Sequence, residues 1–189
     1  VPAIHIATET EYFRRLDSQL IDEMRRHAAS EEERRRLAEM SGIGDPTILK
    51  ALEKLGYTHS TVILIPLAPL VDLAWSDRSV SSAERDWIFA FARKWGVGED
   101  TPAWRQLGAW LDHCPSHEFF EKTWRALKAK LDALPPEERK ATREVLLQAS
   151  ADFAKATGQR LAWASRTSAA KRKLLIEIAG RLASPAQAA

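Results

Sequence analysis

Three carboxylates, Asp72, Asp77 and Glu84, fall around one short polar turn between two apolar segments. Oxygen donors grouped in this way suit a hard divalent cation, calcium or magnesium. The stretch is not an EF-hand loop, because the glycine required at the sixth loop position is missing. The same residues also have a local reading. Ser81-x-x-Glu84 is a capping box, Asp77 is a residue that favours turns, and Asp72 can pair with an arginine. Structural capping is the expected role, with a cation site as the functional counterpart.

Two further groups carry potential chemistry. His113-Cys114-Pro115-Ser116-His117 holds three transition-metal donors, but Pro115 prevents the regular helix that would bring both imidazoles to one face. A loop leading into a Ser116-capped helix explains the same residues. Leu37-Ala38-x3-Gly42-Ile43-x4-Ile48 has the spacing of a helix-turn-helix, a tight turn between two steeply packed helices. Its second helix offers Asp45, Lys50, Glu53 and Lys54, with no net charge, whereas a recognition helix needs donors for base edges and phosphates. A hairpin packed for structure is therefore preferred, and nucleic-acid binding through residues 34–55 stands as the alternative function. No G-x-S-x-G elbow and no phosphate-binding P-loop occurs, and Gly42-Ile43-Gly44 is only a fragment of a dinucleotide fingerprint. No catalytic residues are expected from spacing.

The elements that must position these residues read as helices throughout. Thr8-x-x-Glu11 opens a helix carrying Phe13, Leu16, Leu20, Ile21 and Met24, and Ser30-x-x-Glu33 predicts a break and restart near Ala28–Ser30. Asp45-Pro46 is an N-cap followed by proline at the first helical position, in a helix that ends on Gly56. From Val62 the apolar positions continue through Leu67, Leu70, Val71 and Ala74, predicting a buried helix kinked by Pro66 and Pro69 that ends near Ser76. Ser81 caps the next helix, which Gly96 terminates. Helices are then predicted over 101–111, 116–134, 137–157 and 168–182, with Pro135-Pro136 as a break and the tail after Ser184 disordered. No alternating strand pattern appears.

Two stretches echo one another. Leu73-Ala74-Trp75 followed by Ser81-Ser82-Ala83-Glu84-Arg85 is matched by Leu161-Ala162-Trp163 followed by Ser168-Ala169-Ala170-Lys171-Arg172. Each lies in an apolar helix, a polar turn and a Ser-capped apolar helix, which predicts a pseudo-repeat.

The segment from Pro69 to Arg85, with Asp72, Asp77 and Ser81-x-x-Glu84, resembles the signature of TerB-like tellurite-resistance domains. The resemblance spans residues of about 60–182. It implies an all-α domain of two similar halves, an association with tellurite and stress responses, kinship with the N-terminal region of a DnaJ-type co-chaperone, and an acidic metal site at Asp72, Asp77 and Glu84. The family pattern has glycine after the turn aspartate, where this chain has Arg78.

Composition agrees with a globular helical protein. Of 189 residues 45% are hydrophobic, and seven tryptophans against two tyrosines point to large anchors in helix–helix contacts. The formal charge of +2 is too small to demand a polyanion partner, though residues 121–181 are net +7 and the remainder net −5. Cys114 is the single cysteine, so no intramolecular disulfide and no cysteine-based zinc ribbon can form. The longest apolar run, Thr61–Trp75, is too short for a membrane span, and Val1-Pro2-Ala3-Ile4 shows no secretory pattern, so a cytoplasmic protein is expected. These observations predict an all-α multi-helix bundle, with an N-terminal helical extension (1–57), a TerB-like domain (58–183) and a short tail (184–189). The expected function is a non-enzymatic, stress-associated binding or scaffold module with a protein partner, sensing a divalent cation if the acidic turn binds one.

Overall fold

The computed structural model describes residues 24–25, 28–158 and 165–183, and every regular element among them is helical. Helix α1 covers residues 28–41 and α2 is Pro46–Lys54. A 3-10 helix, Val62–Leu67, runs into α3, Ala68–Ala74, and a second 3-10 turn, Trp75–Asp77, follows it. Then come α4, Ser82–Lys94; α5, Pro102–Asp112; α6, His117–Ala133; α7, Pro136–Gly158; and α8, Ser165–Ala183. The fold is all-α. The Thr8 capping box, Leu161-Ala162-Trp163 of the echo and the tail after Ser184 lie outside the described residues.

Local signals account for most helix ends. Asp45 Oδ1 accepts from the Thr47 and Ile48 amides at 2.8 and 3.4 Å, and Thr101 and Ser116 cap α5 and α6 in the same manner. Gly42, closing α1, takes a φ of 71°, the left-handed region that costs glycine nothing.

Two expectations change. The stretch from Val62 is a 3-10 segment leading into α3 rather than one kinked α-helix. Pro66 and Pro69 both lack an amide hydrogen; the first lies inside the 3-10 segment and the second in the first turn of α3, where no intrahelical donor is needed. Residues 28–30 are helical, so no break falls within them. Glu33, which was to close the Ser30 capping box, instead accepts from the backbone amide of His59 at 2.7 Å.

Helix α3 lies at the centre. Six of its seven residues are buried and only Asp72 is not, as befits a helix apolar nearly all round. Helices α4, α6, α7 and α8 pack around it. The fully buried side chains Leu64, Ile65, Leu67, Leu70, Leu73, Ile88, Leu107, Leu127, Phe153 and Ile178 join in one core. Leu37, Leu52 and Tyr57 belong to that same core, so the described part of the N-terminal extension is built into the bundle. Arg34 and Glu53, 2.8 Å apart, tie α1 to α2, and the Tyr57 hydroxyl lies 3.2 Å from Thr123 Oγ1 on α6. Tryptophans anchor the helices as expected: Trp110 packs edge-on to Tyr57 and Phe119, and the Trp75 indole donates to the Trp110 carbonyl at 2.8 Å.

Candidate functional site

The acidic turn is built from local rules. Helix α3 ends at Ala74, and Asp77 Oδ1 accepts from the Ser79 amide at 3.3 Å. Arg78 then takes φ 71°, ψ 10°, left-handed backbone at the position where the TerB-like pattern has glycine. Ser81 caps α4. Its hydroxyl accepts from the Glu84 amide at 3.3 Å, and Glu84 Oε2 accepts from the Ser81 amide and hydroxyl at 2.8 Å each.

The second carboxylate oxygen of Glu84 meets a cation that belongs to the chain. Lys171 Nζ, from α8, is hydrogen-bonded to Glu84 Oε1 and stands 3.6 Å from Asp77 Oδ2. The Lys171 and Glu84 side chains are only 6% and 4% exposed. The Phe153 ring centroid lies 6.0 Å from the ammonium. Asp77 and Glu84 are thus brought together around the chain's own lysine.

Asp72 faces elsewhere. Burial pushes its carboxyl up to about 6, against the pull of Arg181 and His117 and with the push of Glu177 and Glu121. Those neighbours belong to α6 and α8. There Arg181 Nη2 bonds Glu121 and Glu177 at 2.8 Å each, and its guanidinium lies 5.3 Å from the centre of the Trp124 ring. Two cationic side chains therefore divide the three predicted ligands. Among the described residues, no three His, Cys, Asp or Glu side chains are grouped as a metal site. His113 is the C-cap of α5 and His117 the first residue of α6, with exposed Cys114 between them.

A different group, invisible in the spacing, lies beside a cavity. The turn between α2 and the first 3-10 segment presents His59 to Glu33 of α1. Glu33 accepts from His59 Nδ1 at 2.8–2.9 Å as well as from its backbone amide, and His59 Nε2 lies 3.1 Å from Ser60 Oγ. Burial works to raise the Glu33 carboxyl, yet the backbone and side-chain hydrogen bonds from His59 prevail and hold it below its usual value. With Nδ1–H given to a carboxylate, the neutral ring keeps Nε2 as an acceptor for the serine hydroxyl.

His59 and Ser60 line a half-open cavity of about 510 Å³ whose other walls include Val62, Ile63, Pro66 and Trp95. Met40 stands at it with 63% of its surface exposed. Lys130 reaches the cavity from α6, donating to the Ser41 carbonyl at 2.9 Å, and burial lowers the pKa of its ammonium. A mostly apolar cavity with a few convergent polar groups has the general make-up of a small-molecule site.

No family model, no curated protein and no solved structure matches this chain. Among the described residues the chain is an all-α helical bundle with a side cavity lined by His59, Ser60 and Trp95. No helix among the described residues is long and apolar enough to cross a membrane.

Proposed function

We propose that this chain is a helical binding module, stress-associated as the TerB-like resemblance implies, that takes a small amphipathic molecule into the cavity beside Trp95. The carrying observation is the cavity itself, about 510 Å³ with apolar walls and Lys130 and His59 at its polar side. Its volume lies within the roughly 300–1,000 Å³ usual for ligand pockets. An apolar tail against Val62, Ile63 and Pro66 with an acyl or carboxylate head towards Lys130 satisfies both surfaces. The acidic turn has a structural part here, joining α8 to the start of α4.

The test is binding of a medium-chain fatty acid, followed by displacement of a fluorescent analogue. Met40→Glu puts a carboxylate at an exposed position beside the cavity, so it should weaken binding of the acid while leaving the fold intact. Binding that ignores both Met40→Glu and Ile63→Arg places the ligand elsewhere and overturns the proposal.

A second reading has one observation in its favour. Lys50 and Lys54 of α2 and Lys122 of α6 line a shallow groove of about 360 Å³ on the outer face of the helix-turn-helix-like hairpin. A nucleic-acid role built on this groove requires salt-sensitive duplex binding that Lys50→Ala removes.

A further inference from the structure

We propose that Ser60 is a nucleophile, with His59 as its general base and Glu33 as the positioning carboxylate, and that the site cleaves carboxylic esters of apolar acids. The proposal rests on the cavity reading above and adds a covalent step to it. Three hydrogen-bonded groups stand in the order that activates a serine: carboxylate, imidazole Nδ1, imidazole Nε2, hydroxyl. Glu33 grips His59 twice, through the ring and through the backbone amide, so the orientation of the imidazole is fixed from outside the cavity. His59 and Ser60 are adjacent in sequence, and both line the apolar space that would hold the acyl chain.

The chemistry closes without any further reactant than water. Ser60 Oγ bonds to the ester carbonyl carbon as its proton passes to His59 Nε2. The carbon–alkoxide bond breaks, and the same proton leaves with the alcohol. Water then adds to the acyl-serine carbon, giving a proton to Nε2, and collapse releases a carboxylic acid and restores the Ser60 hydroxyl with that proton. Negative charge develops on the carbonyl oxygen in both halves. Lys130 lines the same cavity and has two ammonium hydrogens beyond the one given to Ser41, which makes it a cationic donor for that oxyanion.

The experiment treats the full chain with an alkyl fluorophosphonate and maps the adduct by peptide mass, alongside hydrolysis of p-nitrophenyl butyrate. A single adduct on Ser60 is expected, absent in Ser60→Ala and formed at least about a hundredfold more slowly in His59→Gln. Glu33→Gln should slow labelling at saturating probe while leaving the half-saturating concentration unchanged, a split that simple loss of binding does not produce. Circular dichroism melts verify folding, and Ser60→Ala, which deletes one hydroxyl, guards against a His59 variant that fails to fold. Fatty-acid displacement is measured on the same samples. Displacement without a Ser60 adduct overturns this inference and leaves the cavity reading standing; loss of both overturns both. An adduct on another residue, or ester hydrolysis undiminished in Ser60→Ala, also overturns it.

Discussion

Lys171 and Glu84, 87 residues apart, form one buried ion pair that joins the second turn of α8 to the first turn of α4. They also occupy matching positions in the two echoing sequence stretches, a glutamate in one and a lysine in the other. The charge reversal turns what would be two like charges into a bond between the segments.

Removing one partner should therefore be far more damaging than removing both. Lys171→Met leaves Glu84 buried against Asp77 without its cation, and should lower stability by about 3–5 kcal/mol. Adding Glu84→Gln, which keeps a capping side chain at the third helical position, should recover a large part of that loss. Urea denaturation of the two single variants and the double variant measures the coupling. Additive losses would show that the pair carries no interaction of its own.

Because Lys171 already neutralises the turn, added calcium or magnesium should leave the melting temperature unchanged. Ser81→Ala should still cost about 0.5–2 kcal/mol through loss of the cap. A competent cation site behaves otherwise: linkage gives stabilisation that saturates, reaching about 2.7 kcal/mol at a hundred times the dissociation constant. A saturable shift abolished by Asp77→Asn would mean the cation displaces the lysine.

Arg78 holds left-handed backbone that costs a residue with a Cβ roughly 1–2 kcal/mol. Glycine at this position gives back about 0.5–1 kcal/mol through its freer unfolded chain. Arg78→Gly should thus be neutral to stabilising by up to about 1 kcal/mol, and chemical denaturation reads the sign. A clear loss would assign the Arg78 side chain a stabilising role greater than its backbone strain.

These three predictions concern a region whose local half was legible in the sequence. Ser81 and Glu84 cap each other across three residues, Asp45-Pro46 opens α2 and Gly42 closes α1, because caps depend on the next few residues alone. What the spacing did not reveal is set by packing between distant helices. Lys171 reaches Glu84 only because α8 lies against the turn. The echo placed the two in register, but nothing local could show that they touch. Asp72 looked like a third ligand since it is five residues from Asp77, yet one and a half helical turns direct it towards α6 and α8. Glu33 has the spacing of half a capping box with Ser30, and His59, 26 residues later, claims it. The Glu33–His59–Ser60 chain leaves no trace in spacing, because it forms only when α1 packs beside the turn that follows α2.

Asp72 provides a pH signature. Its carboxyl is raised to about 6 in the fold, chiefly by burial, against an ordinary value of 3.8. Well below pH 3.8 the group is protonated folded and unfolded alike. Between about pH 4 and 6 the folded state holds more protons, so stability falls as pH rises, by up to about 2–3 kcal/mol once both limits are passed. Asp72→Asn should flatten that window and raise stability at pH 7. A variant with the slope of the parent would trace the pH dependence to another group.

The most direct measurement of the ligand site is an amide chemical-shift map of the protein titrated with a medium-chain fatty acid. Saturable shifts are predicted at His59, Ser60, Val62, Ile63, Val97 and Thr101, with Lys50, Lys54 and Glu84 unmoved. Shifts confined to the Lys50–Lys122 groove, or no saturable shift at millimolar acid, would contradict the account.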